Sequence, residues 1–83
     1  MDLSTLQICD EDLSDPLLHQ YLSQEAVAID TETMGLNPMR DRLCLVQLCD
    51  PKGNVTMIRI AKGQTQADRL RQLLEARNVE KVF

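Results

Sequence analysis

Apolar positions along the chain fall into short blocks whose spacing changes from element to element. Leu6-Gln7-Ile8-Cys9 predicts a short strand, followed by the acidic run Asp10-Glu11-Asp12. Leu17, Leu18, Tyr21 and Leu22 then recur at helical spacing. Ser14 and Asp15 stand ahead of Pro16 as an N-cap and first turn would, so a helix is predicted over 16–24. Ala26-Val27-Ala28-Ile29 opens a strand that runs on through Asp30-Thr31-Glu32-Thr33 and is broken by Gly35-Leu36-Asn37-Pro38. The loop that follows carries Arg40, Asp41 and Arg42. Leu43-Cys44-Leu45-Val46-Gln47-Leu48-Cys49 is a near-continuous apolar strand, and Asp50-Pro51-Lys52-Gly53-Asn54 has the residues of a hairpin turn. Val55 to Ile60 is the next strand. Residues 66–77 read as an amphipathic helix with Ala67, Leu70, Leu73 and Leu74 on one face, and Lys81-Val82-Phe83 begins a last strand.

From Ala26 onward the order is strand, strand, strand, helix, strand. The first three are joined by connections short enough for antiparallel neighbours, whereas the last is reached through a helix, as a parallel crossover requires. An α/β fold is therefore expected, with a mixed sheet and helices on its faces. The chain stops as its last strand begins. Residues 1–83 are accordingly expected to be the N-terminal part of a single domain whose remainder is absent. Neither internal repeats nor low-complexity tracts interrupt the pattern.

Composition narrows the classes. With one Tyr, one Phe and no Trp, the core is expected to be aliphatic. Thirteen acidic against nine basic residues give a charge of −4, which argues against a basic module that holds nucleic acid by bulk electrostatics. It does not exclude an enzyme that meets phosphates through a bound cation, because the cation supplies positive charge locally. The three cysteines, Cys9, Cys44 and Cys49, lack the paired short spacings of a zinc site and read as reduced thiols. No secretory leader or membrane-spanning run is recognisable, so the expected location is the cytoplasm and no membrane partner is expected.

The candidate chemistry lies in Asp30-Thr31-Glu32, where an apolar strand runs into two carboxylates one residue apart. Alternation puts Asp30 and Glu32 on one face and Ile29 and Thr31 on the other, with Ala28 leaving room beside the acids. Carboxylate oxygens are hard ligands suited to Mg²⁺ or Mn²⁺. Two such ions roughly 3.5–4 Å apart can activate a water and stabilise the leaving oxygen of a phosphodiester. Two carboxylates are too few for both ions, so further acids must come from elsewhere. By itself the triplet favours a plain solvated strand end, since carboxylates are mostly exposed.

Its context favours the other reading. Ala28 through Leu36, with Leu43-Cys44-Leu45-Val46-Gln47-Leu48 behind it, resembles the first exonuclease motif of the ribonuclease D-like 3′–5′ exonucleases, members of the four-acid (DEDD) superfamily with a ribonuclease H-like fold. Polymerase proofreading domains share the Asp-Thr-Glu-Thr and Gly-Leu character, while the Leu-Val-Gln-Leu strand fits ribonuclease D and the Werner-type exonucleases better. The resemblance extends from about Ala26 to Phe83. It implies a ribonuclease H-like mixed sheet and hydrolysis of nucleic acid, RNA favoured, from a single-stranded 3′ end with Mg²⁺ or Mn²⁺ in a two-metal site. It makes Asp30 and Glu32 catalytic metal ligands, has Glu32 touch the terminal sugar, and assigns Thr31, Thr33, Met34, Gly35 and Leu36 to substrate binding. The family's later motifs, with two more aspartates and a Tyr or His that orients the attacking water, would lie beyond Phe83. Asp41, Asp50 and Asp68 do not stand in those contexts. The 83-residue chain alone is therefore expected to be inactive.

Other residues carry less. His19 reads as a surface residue of its helix, Gln47 as a strand amide bonded to adjacent backbone, and Arg40 and Arg42 as a solvated loop. Two other classes compete. A haloacid dehalogenase-type phosphatase would want a second Asp and then a hydroxyl residue where Glu32 and Met34 stand, on a parallel sheet. A non-catalytic interaction module built on the exonuclease scaffold is the other, with the missing acids in its favour and the intact Asp30 and Glu32 against it.

Overall fold

Side-chain alternation sorts the strand from Ala26 into a buried and an open set, and the sheet is organised around that division. In the computed structural model, residues 6–34, 43–61 and 63–83 are described, without the side chains of 33, 34, 43 and 44. The elements are β1 (Leu6–Asp10), α1 (Asp15–Leu22), β2 (Ala26–Met34), β3 (Leu43–Cys49), β4 (Val55–Ile60), α2 (Asp68–Glu75) and β5 (Glu80–Val82). The strands form one sheet in the order β1-β4-β3-β2-β5. β2, β3 and β4 pair antiparallel, β5 lies parallel to β2 after the α2 crossover, and β1 lies parallel to β4 at the far edge. This is the mixed α/β sheet of a ribonuclease H-like fold. The antiparallel β2–β3 and β3–β4 pairs also depart from the parallel sheet that a haloacid dehalogenase-type fold requires.

Both helices pack on the same side of the sheet. Val27, Ile29, Leu48 and Ile58 from the strands meet Leu18 and Tyr21 of α1 and Leu70 and Leu73 of α2 in one buried cluster. Among the described residues the helices thus cover one face of the sheet. The second face of the sheet is open, with Ile8 57 % and Val82 49 % exposed. Two expectations change. Tyr21 is fully buried in the otherwise aliphatic core, which it can join because its hydroxyl bonds Thr56 Oγ1 at 2.8 Å. Leu74 is exposed rather than on the core face, since α2 ends at Glu75 and turns only Leu70 and Leu73 inward. Among the described residues, no helix is long and apolar enough to cross a membrane.

Helix and turn ends are held by polar side chains. Ser14 caps α1, accepting from the Leu17 amide, with Pro16 in the first turn. Asp50 ties the β3–β4 hairpin together: Oδ1 accepts from the amides of Lys52 and Asn54, and Oδ2 from the Asn54 side chain, all at 2.9 Å. Gly53 takes the left-handed φ of 89° that this turn needs. Burial pushes the Asp50 carboxyl up, but the hydrogen bonds from Asn54 and Lys52 outweigh it and leave it below the ordinary carboxylate value. Asp10 and Asp15 are likewise lowered, chiefly by hydrogen bonds from Arg59 and Arg69. A carboxyl lowered in the folded state adds stability above its unfolded value, about pH 4, and loses it as the pH falls through the folded value. The exposed Asp10 and Asp15 pairs contribute little. Urea unfolding should therefore show stability falling below about pH 4. Asp50→Asn should be less stable at neutral pH and lose less on acidification. An equal acid loss in parent and variant would show that Asp50 is not responsible.

Candidate metal centre

β2 is held on both edges, by β3 and by β5, and its buried face is fixed by Val27 and Ile29. Those anchors leave Asp30 and Glu32 together on the open face, both exposed. In a strand, residues two apart lie roughly 6.6 Å from each other along the axis. Repulsion between charges at that distance is only about 0.6 kcal/mol in water, so the pair tolerates its position while drawing cations.

The described residues leave both acids without a cationic partner. Asp30 Oδ1 accepts from the Thr31 amide at 3.0 Å, which settles the carboxylate along the strand. Among the described residues, neither Asp30 nor Glu32 forms an ion pair, whereas Asp10, Asp12, Asp15, Asp68 and Glu75 all meet arginines. Two unpaired hard carboxylates on one face fit part of a divalent-cation site. They do not complete one, because no group of three His, Cys, Asp or Glu residues among the described residues is arranged to hold a metal ion.

The remaining site residues separate. The Thr31 side chain lies on the opposite face of β2 from the acids, and only its backbone amide reaches Asp30. Thr33 and Met34 continue the β2 backbone. Gly35 and Leu36 lie outside the described residues, as do Arg40 and Arg42. His19 is exposed in the last turn of α1, as expected.

One residue now belongs with the acids. Gln47 on β3 is the direct cross-strand partner of Asp30 and shares its face. The two line an open depression of about 280 Å³ together with Ala28, Cys49, Val82 and Phe83. Gln47 is half-buried, yet its amide forms no hydrogen bond with a described residue, so the backbone bond expected for it is not found. Its place opposite Asp30 depends on the β2–β3 register, a pairing between two strands that the sequence of β3 alone does not give.

Comparison with known proteins gives this chain a family. No curated protein matches the chain significantly. Among solved structures, one described as the apo form of the nuclease is 44% identical with a TM-score of 0.77, covering 93% of this chain and 36% of that one. Brucella melitensis NrnC is 42% identical with a TM-score of 0.78, over 96% of this chain and 37% of that one. The same NrnC is similar at 42% identity in its form bound to pGG (TM-score 0.75, 94% of this chain and 37% of that one). In its form with bound Mg²⁺ the identity is again 42% (TM-score 0.74, 92% of this chain and 36% of that one). The chain thus spans little more than a third of the length of these relatives. A model of the 3′–5′ exonuclease family matches residues 6–83. That match runs from the first residue of β1 through both acids to Phe83, and the chain therefore belongs to the 3′–5′ exonuclease family.

Proposed function

We propose that these residues form the first part of one exonuclease domain, and that the complete protein removes nucleotides from the 3′ end of single-stranded nucleic acid, RNA favoured. The supporting observation is the exposed Asp30 and Glu32 on the open face of β2, which form no ion pair among the described residues and lie inside a stretch matched throughout by the exonuclease family. Brucella NrnC, with bound Mg²⁺ in one structure and bound to pGG in another, supports a divalent ion and a nucleic-acid substrate for this chain as well. The ribonuclease D-like subtype rests on the Leu45-Val46-Gln47-Leu48 segment of β3.

Asp30 and Glu32 would hold Mg²⁺ or Mn²⁺ through their carboxylate oxygens, in a two-metal site whose further acids come from outside this chain. Bound there, such ions lower the pKa of a coordinated water and stabilise the charge that develops on the phosphodiester. Glu32 would also touch the terminal sugar, and Met34, Gly35 and Leu36 would form part of the nucleotide pocket, as the resemblance to the exonuclease motif implies. Thr33 and the backbone of Thr31 complete the strand that the substrate would meet. The free thiols of Cys9 and Cys49 suit a reducing compartment, the cytoplasm.

The test uses 5′-labelled single-stranded RNA and DNA with the complete protein. In Mg²⁺ the label should persist on a ladder shortening from the 3′ end, faster for RNA, and a chelator should stop it. Early release of the label as a mononucleotide, or digestion unaffected by chelator, would sink the reading. The 83-residue chain alone should leave both substrates intact, and turnover by it would refute the view that further acids are needed.

A further inference from the structure

Gln47 and Asp30 are the only polar members of their row across four strands, in which Asp30 pairs with Gln47, Gln47 with Met57, and Met57 with Ile8. Side chains directly opposite on one face of an antiparallel pair have Cβ atoms about 4.5–5.5 Å apart, within reach of a glutamine side chain. The flanking residues of β3 on that face, Leu45 and Cys49, offer the amide little to bond. A primary amide carries two N–H donors and an acceptor oxygen, and since no buried side-chain polar atom among the described residues lacks a partner, the Gln47 amide opens to solvent in the depression it shares with Asp30. The acid opposite, Asp30, uses only Oδ1 within the described residues.

We infer that Gln47 is a positioning residue for the cation at Asp30, its amide oxygen accepting a hydrogen bond from a water in the ion's shell. The inference rests on the metal reading given above. Small divalent ions keep several waters when few carboxylates bind them, and those waters are strong donors. Groups that hold the outer shell of a metal site typically change its affinity by 10–100-fold. A leucine, one bond shorter and branched, keeps apolar contact with the neighbouring Met57 but could not accept that bond.

Mn²⁺ affinity of the complete protein, read from the electron paramagnetic resonance signal of free Mn²⁺, tests this without relying on catalysis. Gln47→Leu should weaken binding about tenfold while the unfolding temperature stays at the parent value. Gln47→Glu, which places a hard ligand in the same spot, should bind at least as tightly as the parent. Parent-like binding by Gln47→Leu, with Asp30→Asn clearly weaker, would overturn the role of Gln47 and leave the metal reading standing. Equal or undetectable binding by the parent and Asp30→Asn would overturn both. Should Gln47→Leu also unfold at lower temperature, Gln47→Glu decides: binding weaker than the parent's would mean that the amide acts only in packing.

Discussion

Asp30→Asn should abolish nucleotide release by the complete protein and leave its fold in place. The neutral amide keeps the shape of the carboxylate but offers one weak oxygen to a hard cation in place of a charged pair. Losing an outer-shell group already costs 10–100-fold in metal sites, so loss of a direct ligand should exceed about 100-fold. Stability should barely move. Asp30 is exposed, and its described hydrogen bond is accepted by Oδ1 from the Thr31 amide, which an asparagine Oδ1 can accept as well. Exposed substitutions away from packing and caps usually stay within about 0.5 kcal/mol. Initial rates on a 3′-end substrate in Mg²⁺, beside thermal unfolding of the same preparations, check both halves. Parent-like turnover by Asp30→Asn would end the metal-site reading. An unfolded variant would show instead that the carboxylate is structural.

Such a split is possible because the two faces of β2 are specified separately, and that separation is legible in the sequence. Val27 and Ile29 alternate with Ala28, Asp30 and Glu32 at period two, and burial follows the same rule. The bounds of β3 and β4 were equally readable, because their apolar runs are closed off by the Asp50–Asn54 turn, whose chemistry is local. Legibility failed where the determinant lay far away in the chain. Leu74 has the spacing of a core residue, but which leucines of α2 turn inward depends on how that helix sits on the sheet. Gln47 read as an ordinary strand amide because nothing in its own strand reveals that it faces Asp30. β1 was visible as an apolar tetrapeptide, while its parallel place beside β4 was not.

The start of α2 shows the same limit and yields the largest expected loss of stability. Ala67, at its N-cap position, has no side chain with which to cap the helix. Asp12 takes over that duty from the other end of the chain: its Oδ2 accepts from the Arg69 amide and its Oδ1 from the Leu70 amide, each at 2.9 Å. The same carboxylate accepts from the Leu13 amide at 2.8 Å. Arg69 and Leu70 are the second and third residues of α2, whose amides an N-cap side chain would ordinarily satisfy. Glu11, with a left-handed φ of 74°, turns the chain sharply between β1 and this contact, a conformation uncommon for a residue with a side chain. Asp12→Ala would strip three amides of their acceptor and untie the β1–α1 connection from α2. A cap alone is worth about 0.5–2 kcal/mol, and bonds to a charged acceptor are the stronger kind. A loss of about 2–3 kcal/mol follows. Against the total of about 4–12 kcal/mol expected for a domain of this size, that is a large share. Asp12→Asn, with one good acceptor oxygen left, should fall between. Ala67→Ser in the Asp12→Ala background should recover about 1 kcal/mol by capping α2 locally. Urea unfolding followed by far-ultraviolet circular dichroism measures all three, and a loss under about 0.5 kcal/mol for Asp12→Ala would show that water replaces the carboxylate at no cost.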